Sequence, residues 1–65
     1  MLTLDKKKIE ILQARNGVPS EALPTLTGLT GITIRNMKNG KPCKPVSVHK
    51  LAKALGVDVT EILKD

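Results

Sequence analysis

One spacing recurs along this chain: an apolar residue stands just before a helix-capping position, and a second apolar residue follows five positions later. This is the spacing of the hydrophobic staple, in which the residue before the N-cap packs against the fourth residue of the helix. The pairs are Leu4 with Ile9, Val18 with Leu23, Leu29 with Ile34, Val46 with Leu51, and Val57 with Ile62. The repetition predicts a series of short helices, which leaves little of the chain for other secondary structure.

Caps and glycines set the limits of these predicted helices. The predicted N-caps are Asp5, Thr30, Ser47 and Asp58. Glu61 stands three residues after Asp58 and completes a capping box. Gly17 and Gly56 are placed to end two helices, because glycine adopts the left-handed conformation after a helix at little cost. The predicted helices cover residues 5–16, 20–27, 30–39, 47–55 and 58–64.

The apolar positions of these helices indicate a single aliphatic core. In the fourth helix, one stripe at i, i+3, i+4 and i+7 consists of Val48, Leu51, Ala52 and Leu55. The other expected core residues are Ile9, Leu12, Leu23, Leu26, Ile34, Met37 and Ile62. Since only short loops separate the helices, the sequence predicts an all-α fold, a compact five-helix bundle that forms one domain over residues 1–65.

The composition limits the classes of partner. The chain has no Phe, Tyr or Trp, which argues against RNA and single-strand binders that stack bases on aromatic rings. Its formal net charge of +5 favours an anionic partner, with nucleic acid first, a membrane surface second and an acidic protein third. A chain of this length buries only about 60% of its unfolded surface, so dimerisation would add to its stability.

Neither catalysis nor a cofactor is indicated. His49 is expected to be an exposed helical residue, and there is no metal-ligand spacing, Gly-rich phosphate loop or carboxylate pair with a nearby base. Cys43 is expected to be an incidental loop thiol. No apolar run is long enough for a signal peptide or a membrane span, so we expect a cytoplasmic protein that contacts no membrane. We also expect that it binds no metal and no small-molecule ligand.

The segment Thr27–Thr30 separates the second and third predicted helices. Gly28 permits a sharp turn, Leu29 is expected to pack between the two helices, and Thr30 caps the third. Two short helices joined by such a turn form the helix-turn-helix arrangement of DNA-binding proteins. An ordinary helical hairpin uses the same turn, so both interpretations stand on this segment alone.

The third predicted helix, residues 30–39, has a polar face opposite its apolar one. Helical periodicity places on the exposed face, near its amino end, Gly31, Ile32, Arg35 and Asn36. Arg can donate two hydrogen bonds to guanine, Asn can pair with adenine, and an exposed Ile can contact a thymine methyl group. These four residues are the predicted base contacts in a major groove, although a plain solvated face has the same pattern.

Residues around this helix are predicted to contact phosphates. Lysine ammonium groups and free backbone amides in the loop after the helix suit phosphate oxygens, and the helix amino end also favours an anion. The predicted backbone contacts in and beside this helix are Thr30, Thr33, Asn39, Lys41 and Lys44. The run Lys6–Lys8 begins the first helix, where cations are unfavourable. Approach to phosphate would account for it, but a solvated face is the preferred interpretation.

The pattern resembles the phage Cro/CI repressor family of XRE type. The matching residues are Gly17, Val18, Leu23, Gly28, Leu29, Thr30, Ile34, Met37, Asn39, Gly40, Lys41, Pro45 and the run Leu51–Val57. The resemblance extends over residues 6–63. It implies a lambda-repressor-like five-helix fold, a homodimer on a two-fold operator, and transcriptional control in a bacterial or phage setting. The four predicted base contacts match the family's base-contacting positions, and Ser20, Thr30, Asn39, Lys41 and Lys44 match its backbone-contacting positions.

Three departures from the family pattern bear on the fold. Gln13 and Lys38 stand where the family usually pairs an Arg with a Glu, which is expected to leave Lys38 free to meet a phosphate. Pro24 falls inside the second helix, where proline is costly except in the first turn, so we expect this helix to be short, late-starting or kinked. Pro19 occupies the usual capping position, and Ser20 is expected to replace it as the cap.

Two functions follow from these observations. The leading hypothesis is a sequence-specific transcriptional regulator of double-stranded DNA, a Cro/CI-like repressor that inserts helix 30–39 in the major groove and acts as a homodimer. The alternative is a protein-interaction module, antitoxin-like or anti-repressor, that uses the same fold. Its surface, or the dimer surface, is expected at Ile11 with Val59 or Leu63. Salt separates the two, because phosphate-driven binding weakens steeply as salt rises.

Overall fold

The computed structural model describes all 65 residues, which form four α-helices and two 3₁₀ turns. The helices are α1 (Lys6–Asn16), α2 (Leu23–Thr27), α3 (Gly31–Lys38) and α4 (Pro45–Leu55), and the 3₁₀ turns are Ser20–Ala22 and Val59–Glu61. There are no strands beyond two isolated β-bridges. The Cα radius of gyration of 10.1 Å is that of a compact chain of this length. The all-α prediction is confirmed, but the prediction of five helices is wrong.

The second predicted helix, 20–27, is divided in two. Ser20–Ala22 form a 3₁₀ turn, and α2 begins only at Leu23. Pro24 therefore lies in the first turn of α2, where its missing N–H has no intrahelical partner to lose. Pro19 itself occupies the N-cap position with extended backbone and gives the 3₁₀ turn no side-chain cap. The expectation that Ser20 replaces it as the cap is wrong, because Ser20 is the first residue of the turn. The expected short, late-starting second helix is confirmed.

The start of α4 was predicted two residues too late. The helix begins at Pro45, and Lys44 occupies the N-cap position without a side-chain hydrogen bond. Proline is well suited to the first helical position because its φ is already helical, so Ser47 lies inside the first turn. Val46 is 63% exposed, and the predicted staple between Val46 and Leu51 is wrong.

The fifth predicted helix, 58–64, is only the 3₁₀ turn Val59–Glu61. Its capping box is confirmed: the Asp58 carboxylate accepts from the Thr60 amide at 3.1 Å, and the Asp58 amide donates to Glu61 Oε2 at 3.2 Å. The hydroxyl of Thr60 also donates to Asp58, which holds the pKa of that carboxyl below its ordinary value. Beyond Glu61 the backbone pairs with the amino-terminal segment and cannot continue a helix.

That pairing places the amino terminus between two distant parts of the chain. The Asp5 amide donates to the Ile62 carbonyl at 2.9 Å, and the Lys64 amide donates to the Thr3 carbonyl at 3.0 Å. Leu2 and Cys43 exchange backbone hydrogen bonds of 2.8 and 3.0 Å. The first four residues therefore connect the carboxyl terminus with the loop that follows α3.

The core lies around α4, which contacts α1, α2 and the second 3₁₀ turn. The buried apolar residues are Leu4, Ile9, Leu12, Leu23, Ile34, Met37, Cys43, Val48, Leu51, Ala52, Leu55 and Ile62. All the predicted core residues are among them except Leu26, which is 56% exposed. In the five-residue α2, Leu23 and Thr27 lie one turn apart and face inward, which leaves Leu26 at the side. The placement of Leu26 in the core is therefore wrong.

The longest helices, α1 and α4, have 11 residues each. No helix combines the length and the apolar character needed to cross a lipid bilayer.

Candidate nucleic-acid interface

The connection between α2 and α3 is a tight three-residue turn. Gly28 has a φ of 75°, and its amide donates to the Pro24 carbonyl at 2.9 Å, which ends α2. The Thr27 hydroxyl accepts from the Leu29 amide at 3.1 Å, while Leu29 packs against the core. Thr30 then caps α3 through a 3.1 Å hydrogen bond from the Thr33 amide. The predicted turn at Gly28 and the predicted cap at Thr30 are confirmed.

The two faces of α3 differ as expected. Ile34 and Met37 are buried, whereas Gly31, Ile32 and Arg35 are exposed. Asn36, which was predicted to be exposed with them, is only half-buried. Arg35 makes no ion pair and no side-chain hydrogen bond within the chain, since the single salt bridge joins Lys8 to Asp65. The guanidinium is therefore available to an external acceptor.

The residues predicted to contact phosphates lie around both ends of α3. Thr30 and Thr33 share a 2.8 Å hydroxyl–hydroxyl hydrogen bond at the amino end. At the other end, Asn39 is the exposed C-cap residue, and Lys41 and Lys44 are exposed in the following loop. A φ of 88° at Gly40 lets this loop turn away from the helix. Ser20 is exposed in the first 3₁₀ turn.

Lys38 is not free, contrary to the expectation from its sequence position. Its Nζ donates to Oε1 of Gln13 at 3.1 Å. The amide nitrogen of Gln13 in turn donates to the Val18 carbonyl and to the Ser20 hydroxyl, both at 3.2 Å. Gln13 is only 8% exposed, so an uncharged buried amide connects α1, α3 and the first 3₁₀ turn. Lys38 keeps two further donors for an external acceptor.

A cleft of about 260 Å³ lies between the start of α1, the α2 region and α3. Its lining residues are Lys6, Ser20, Leu23, Pro24, Gly31, Ile34, Arg35, Lys38 and Asn39. The structure thus brings together five predicted site residues from two parts of the chain: Ser20, Gly31, Arg35, Lys38 and Asn39. Ile32, Lys41 and Lys44 lie outside the cleft. Lys6 lies inside it, which the sequence did not predict.

Charge is distributed unevenly along the chain. Between Ala22 and Val57 there is no Asp or Glu. The cations of this segment are Arg35, Lys38, Lys41, Lys44, Lys50 and Lys53. All the acidic residues lie closer to the termini, so the segment that contains α2, α3 and α4 has no internal counter-charge. The net charge of +5 does not reveal this uneven distribution. The absence of Asp and Glu from the segment is the sequence signal that identifies the region as electropositive.

Cys43 is a structural residue of the loop after α3. It is 6% exposed, and its Sγ donates to the Leu2 carbonyl at 3.2 Å. Burial raises the pKa of the Cys43 thiol, and the nearby amino terminus offsets part of that rise. The expected loop position is confirmed, but the thiol is not incidental, because this buried side chain helps to hold the loop against the amino-terminal segment. No group of three or more His, Cys, Asp or Glu residues is placed to hold a metal ion.

No family model, curated protein or solved structure matches this chain. The resemblance to the Cro/CI family therefore remains a prediction that depends on the residues quoted for it.

Proposed function

We propose that this protein is a helix-turn-helix transcriptional regulator that binds double-stranded DNA with α3 in the major groove. The observation that supports this most strongly is the exposed face of α3. It presents an unpaired Arg35 beside Asn36, at the edge of a cationic cleft, in a segment without acidic residues. In this proposal α2, the turn Gly28–Thr30 and α3 are the helix-turn-helix.

The dimensions and chemistry of α3 suit a major groove. An α-helix with its side chains is about 10–12 Å across, which fits the roughly 12 Å width of the groove, and the eight residues of α3 extend about 12 Å along it. Arg35 would bind guanine O6 and N7, and Asn36 would pair with an adenine. Ile32 is 64% exposed and available to a thymine methyl group. Gly31 has open space around its Cα, which permits close approach of the helix backbone to the bases.

The polar residues at both ends of α3 would fix its register on the duplex. Backbone contacts orient a protein on DNA without specifying the sequence. The proposed phosphate-contacting residues are Ser20, Thr30, Thr33, Lys38, Asn39, Lys41 and Lys44. The hydrogen bond of Gln13 to Ser20 supports this assignment, because it holds a residue of the α2 region at a fixed distance from α3.

Regulation of transcription and dimer formation follow from the same proposal. Small helix-turn-helix domains bind two half-sites about one helical turn apart as two-fold dimers. We therefore propose a homodimer on a palindromic operator, and a Cro-like repressor that acts by occupying it.

Selection of duplex sites from a random pool tests this function. We expect enrichment of a palindrome by the native chain. We expect Arg35→Ala to lose about 5- to 150-fold in affinity for that site, since one bidentate contact is worth about 1–3 kcal/mol, while its affinity for random DNA changes much less. Arg15→Ala is the matched control, because Arg15 is exposed on α1 near Thr60 and Glu61, away from α3. Absence of any enriched sequence would contradict the proposal.

A second candidate function is protein interaction, favoured by the exposed Leu26. This side chain lies in a groove between α2 and α4 that is also lined by Thr27, Lys50, Lys53 and Ala54. An apolar centre with a cationic rim suits an acidic amphipathic segment of another protein. Leu26→Ser should abolish binding to such a partner and leave DNA affinity unchanged. Equal loss of DNA affinity would place Leu26 in the DNA-binding surface instead.

A further inference from the structure

Two of the three lysines that open α1 have no partner in the molecule. Lys8 Nζ donates to the Leu63 carbonyl at 3.1 Å and to the Asp65 carboxylate at 3.0 Å. Lys6 and Lys7 are exposed and make no side-chain hydrogen bond or ion pair. The first turn of α1 has no acidic residue, and the helix dipole disfavours cations at this end. The position of Lys6 and Lys7 is therefore unfavourable for the isolated helix.

The amino end of α1 lies beside the carboxyl end of α3. The cleft described above contains Lys6 together with Arg35 and Lys38. A second cleft adjoins it and contains Lys6 again, with Lys7, Lys38, Asn39 and Lys64. Because both clefts share three of these residues, the cationic groups form one continuous row from the exposed face of α3 to the carboxyl terminus.

The carboxylates near the row are already engaged, and the far end of the row is fixed. Asp5 lines the second cleft, and its carboxylate already accepts from the Lys8 amide at 3.0 Å as the N-cap of α1. The Asp65 side chain, next to Lys64, is paired with Lys8 at 3.0 Å. Asp5 and Asp65 do not neutralise four lysines and one arginine, so the row remains cationic. Lys64 is held there by the hydrogen bond between its amide and the Thr3 carbonyl, 3.0 Å long.

We propose that Lys6, Lys7 and Lys64 form a second phosphate-binding site, which contacts the DNA backbone beside the groove occupied by α3. This inference rests on the proposed DNA-binding function and extends the interface to both termini of the chain. Duplex DNA presents about one negative charge per 1.7 Å of its axis, so a row of cations continuous with α3 meets a row of phosphates. Such contacts add affinity for every sequence and steepen the salt dependence.

The test compares two double variants that lose the same charge. Lys6→Gln/Lys7→Gln removes cations from the proposed site, and Lys50→Gln/Lys53→Gln removes them from the groove between α2 and α4. Binding to one 20-base-pair duplex is followed by fluorescence anisotropy over a series of NaCl concentrations. We expect the slope of log K against log salt to decrease in magnitude by about 2 in the first variant, at about 0.9 per phosphate contact, and to stay at the native value in the second.

Two single variants sharpen the result. Lys64→Gln should reduce the slope by about 1, whereas Lys8→Gln should leave it unchanged, because Lys8 is engaged within the molecule. Thermal unfolding of each variant shows that the fold is retained. Equal slopes for the two double variants would overturn the inference.

Failure of this inference is distinguishable from failure of the proposed function. If the native chain selects a site through Arg35 but the Lys6→Gln/Lys7→Gln slope stays native, only the second phosphate site is refuted. If the native chain binds no duplex at any salt concentration, both are refuted.

Discussion

A single buried amide, that of Gln13, joins three segments of the chain. Its nitrogen donates to the Val18 carbonyl and the Ser20 hydroxyl, and its oxygen accepts from the ammonium of Lys38. An arginine at this position could donate hydrogen bonds but not accept them, and an aliphatic residue could neither donate nor accept. Gln13 thus accepts a hydrogen bond from Lys38 and donates one to Ser20 in the first 3₁₀ turn. This turn has no side-chain cap of its own, because Pro19 occupies the N-cap position.

Replacing Gln13 by Leu should destabilise the protein by about 1–3 kcal/mol, because it leaves the half-buried Lys38 ammonium and the Val18 carbonyl without their partner. Urea denaturation monitored by circular dichroism measures the change. Gln13→Glu is the matched control: it keeps the acceptor for Lys38 and loses the donors, so we expect a smaller effect. A Gln13→Leu variant as stable as the native chain would show that water replaces these hydrogen bonds at no cost.

The buried thiol of Cys43 gives the stability a dependence on alkaline pH. Because burial raises the pKa of this thiol, the folded chain holds its proton more strongly than the unfolded chain does. The resulting stabilisation is complete below the unfolded pKa, about 8.5, and is lost as the pH rises from that value through the higher folded pKa.

We expect Cys43 to react more slowly with Ellman's reagent at pH 8 in the native protein than in the urea-unfolded chain, because both exposure and thiolate fraction are lower. The pH dependence of unfolding between pH 8 and 10 should be weaker in Cys43→Ala, because this variant lacks the buried thiol. Equal thiol reactivity in the native and unfolded chains would contradict the burial of Cys43.

At the scale of elements, α2 and α3 depend on glycine in two different ways. Gly28 has a φ of 75° in open space, so an added Cβ would be strained only by the left-handed backbone. Gly31 is helical and also has open space around it. The same substitution therefore has opposite expected effects at two positions three residues apart.

Gly28→Ala should destabilise the protein by about 1–2 kcal/mol, the cost of a left-handed alanine. Gly31→Ala should leave stability unchanged or raise it by up to about 1 kcal/mol, since alanine is the better helix former. It should nevertheless weaken binding to the selected DNA site, because the new methyl group separates the helix backbone from the bases. Thermal unfolding and anisotropy titrations separate the two effects. Unimpaired DNA affinity in Gly31→Ala would place the groove contact elsewhere on α3.

The limits of α1 and α3 were predictable because their signals are local. Asp5 and Thr30 each accept the hydrogen bond that their position in sequence predicted, at 3.0 and 3.1 Å. The start of α4 was misjudged because two local signals compete, and Pro45 at the first helical position prevails over Ser47 as a cap. The absence of a fifth helix has a non-local cause, since the segment after Glu61 pairs with residues 3–5.

The candidate site was predictable to the same extent. The exposed face of α3 follows from helical periodicity, and Gly31, Ile32 and Arg35 are exposed as predicted. The pairing of Lys38 with Gln13 and the approach of Lys6 to α3 join residues far apart in sequence. Such contacts depend on how α1 packs across α3, which no local pattern specifies.

At the scale of the whole molecule, the amino-terminal segment closes the fold. Leu4 is buried in the core, while Leu2 exchanges backbone hydrogen bonds with Cys43 and Thr3 accepts one from Lys64. These contacts join the two ends of the chain to the loop that contains Lys41. A small domain with a thin core depends strongly on such long-range pairing. The position of the proposed phosphate-binding loop is therefore coupled to residues outside all four helices.

Removal of residues 2 and 3 tests this coupling. The deletion eliminates three backbone hydrogen bonds and the partly buried Leu2, so we expect a loss of about 2–4 kcal/mol. Amide hydrogen exchange should accelerate at Cys43 and Lys64, and DNA affinity should fall because the loop with Lys41 and Lys44 loses its support. Deletion of Asp65 alone is the control, since it removes only an exposed ion pair with Lys8, worth at most about 1 kcal/mol. If both deletions were equally mild, the loop after α3 would be held by its own turn, and the amino-terminal segment would have no part in positioning the proposed DNA-binding surface.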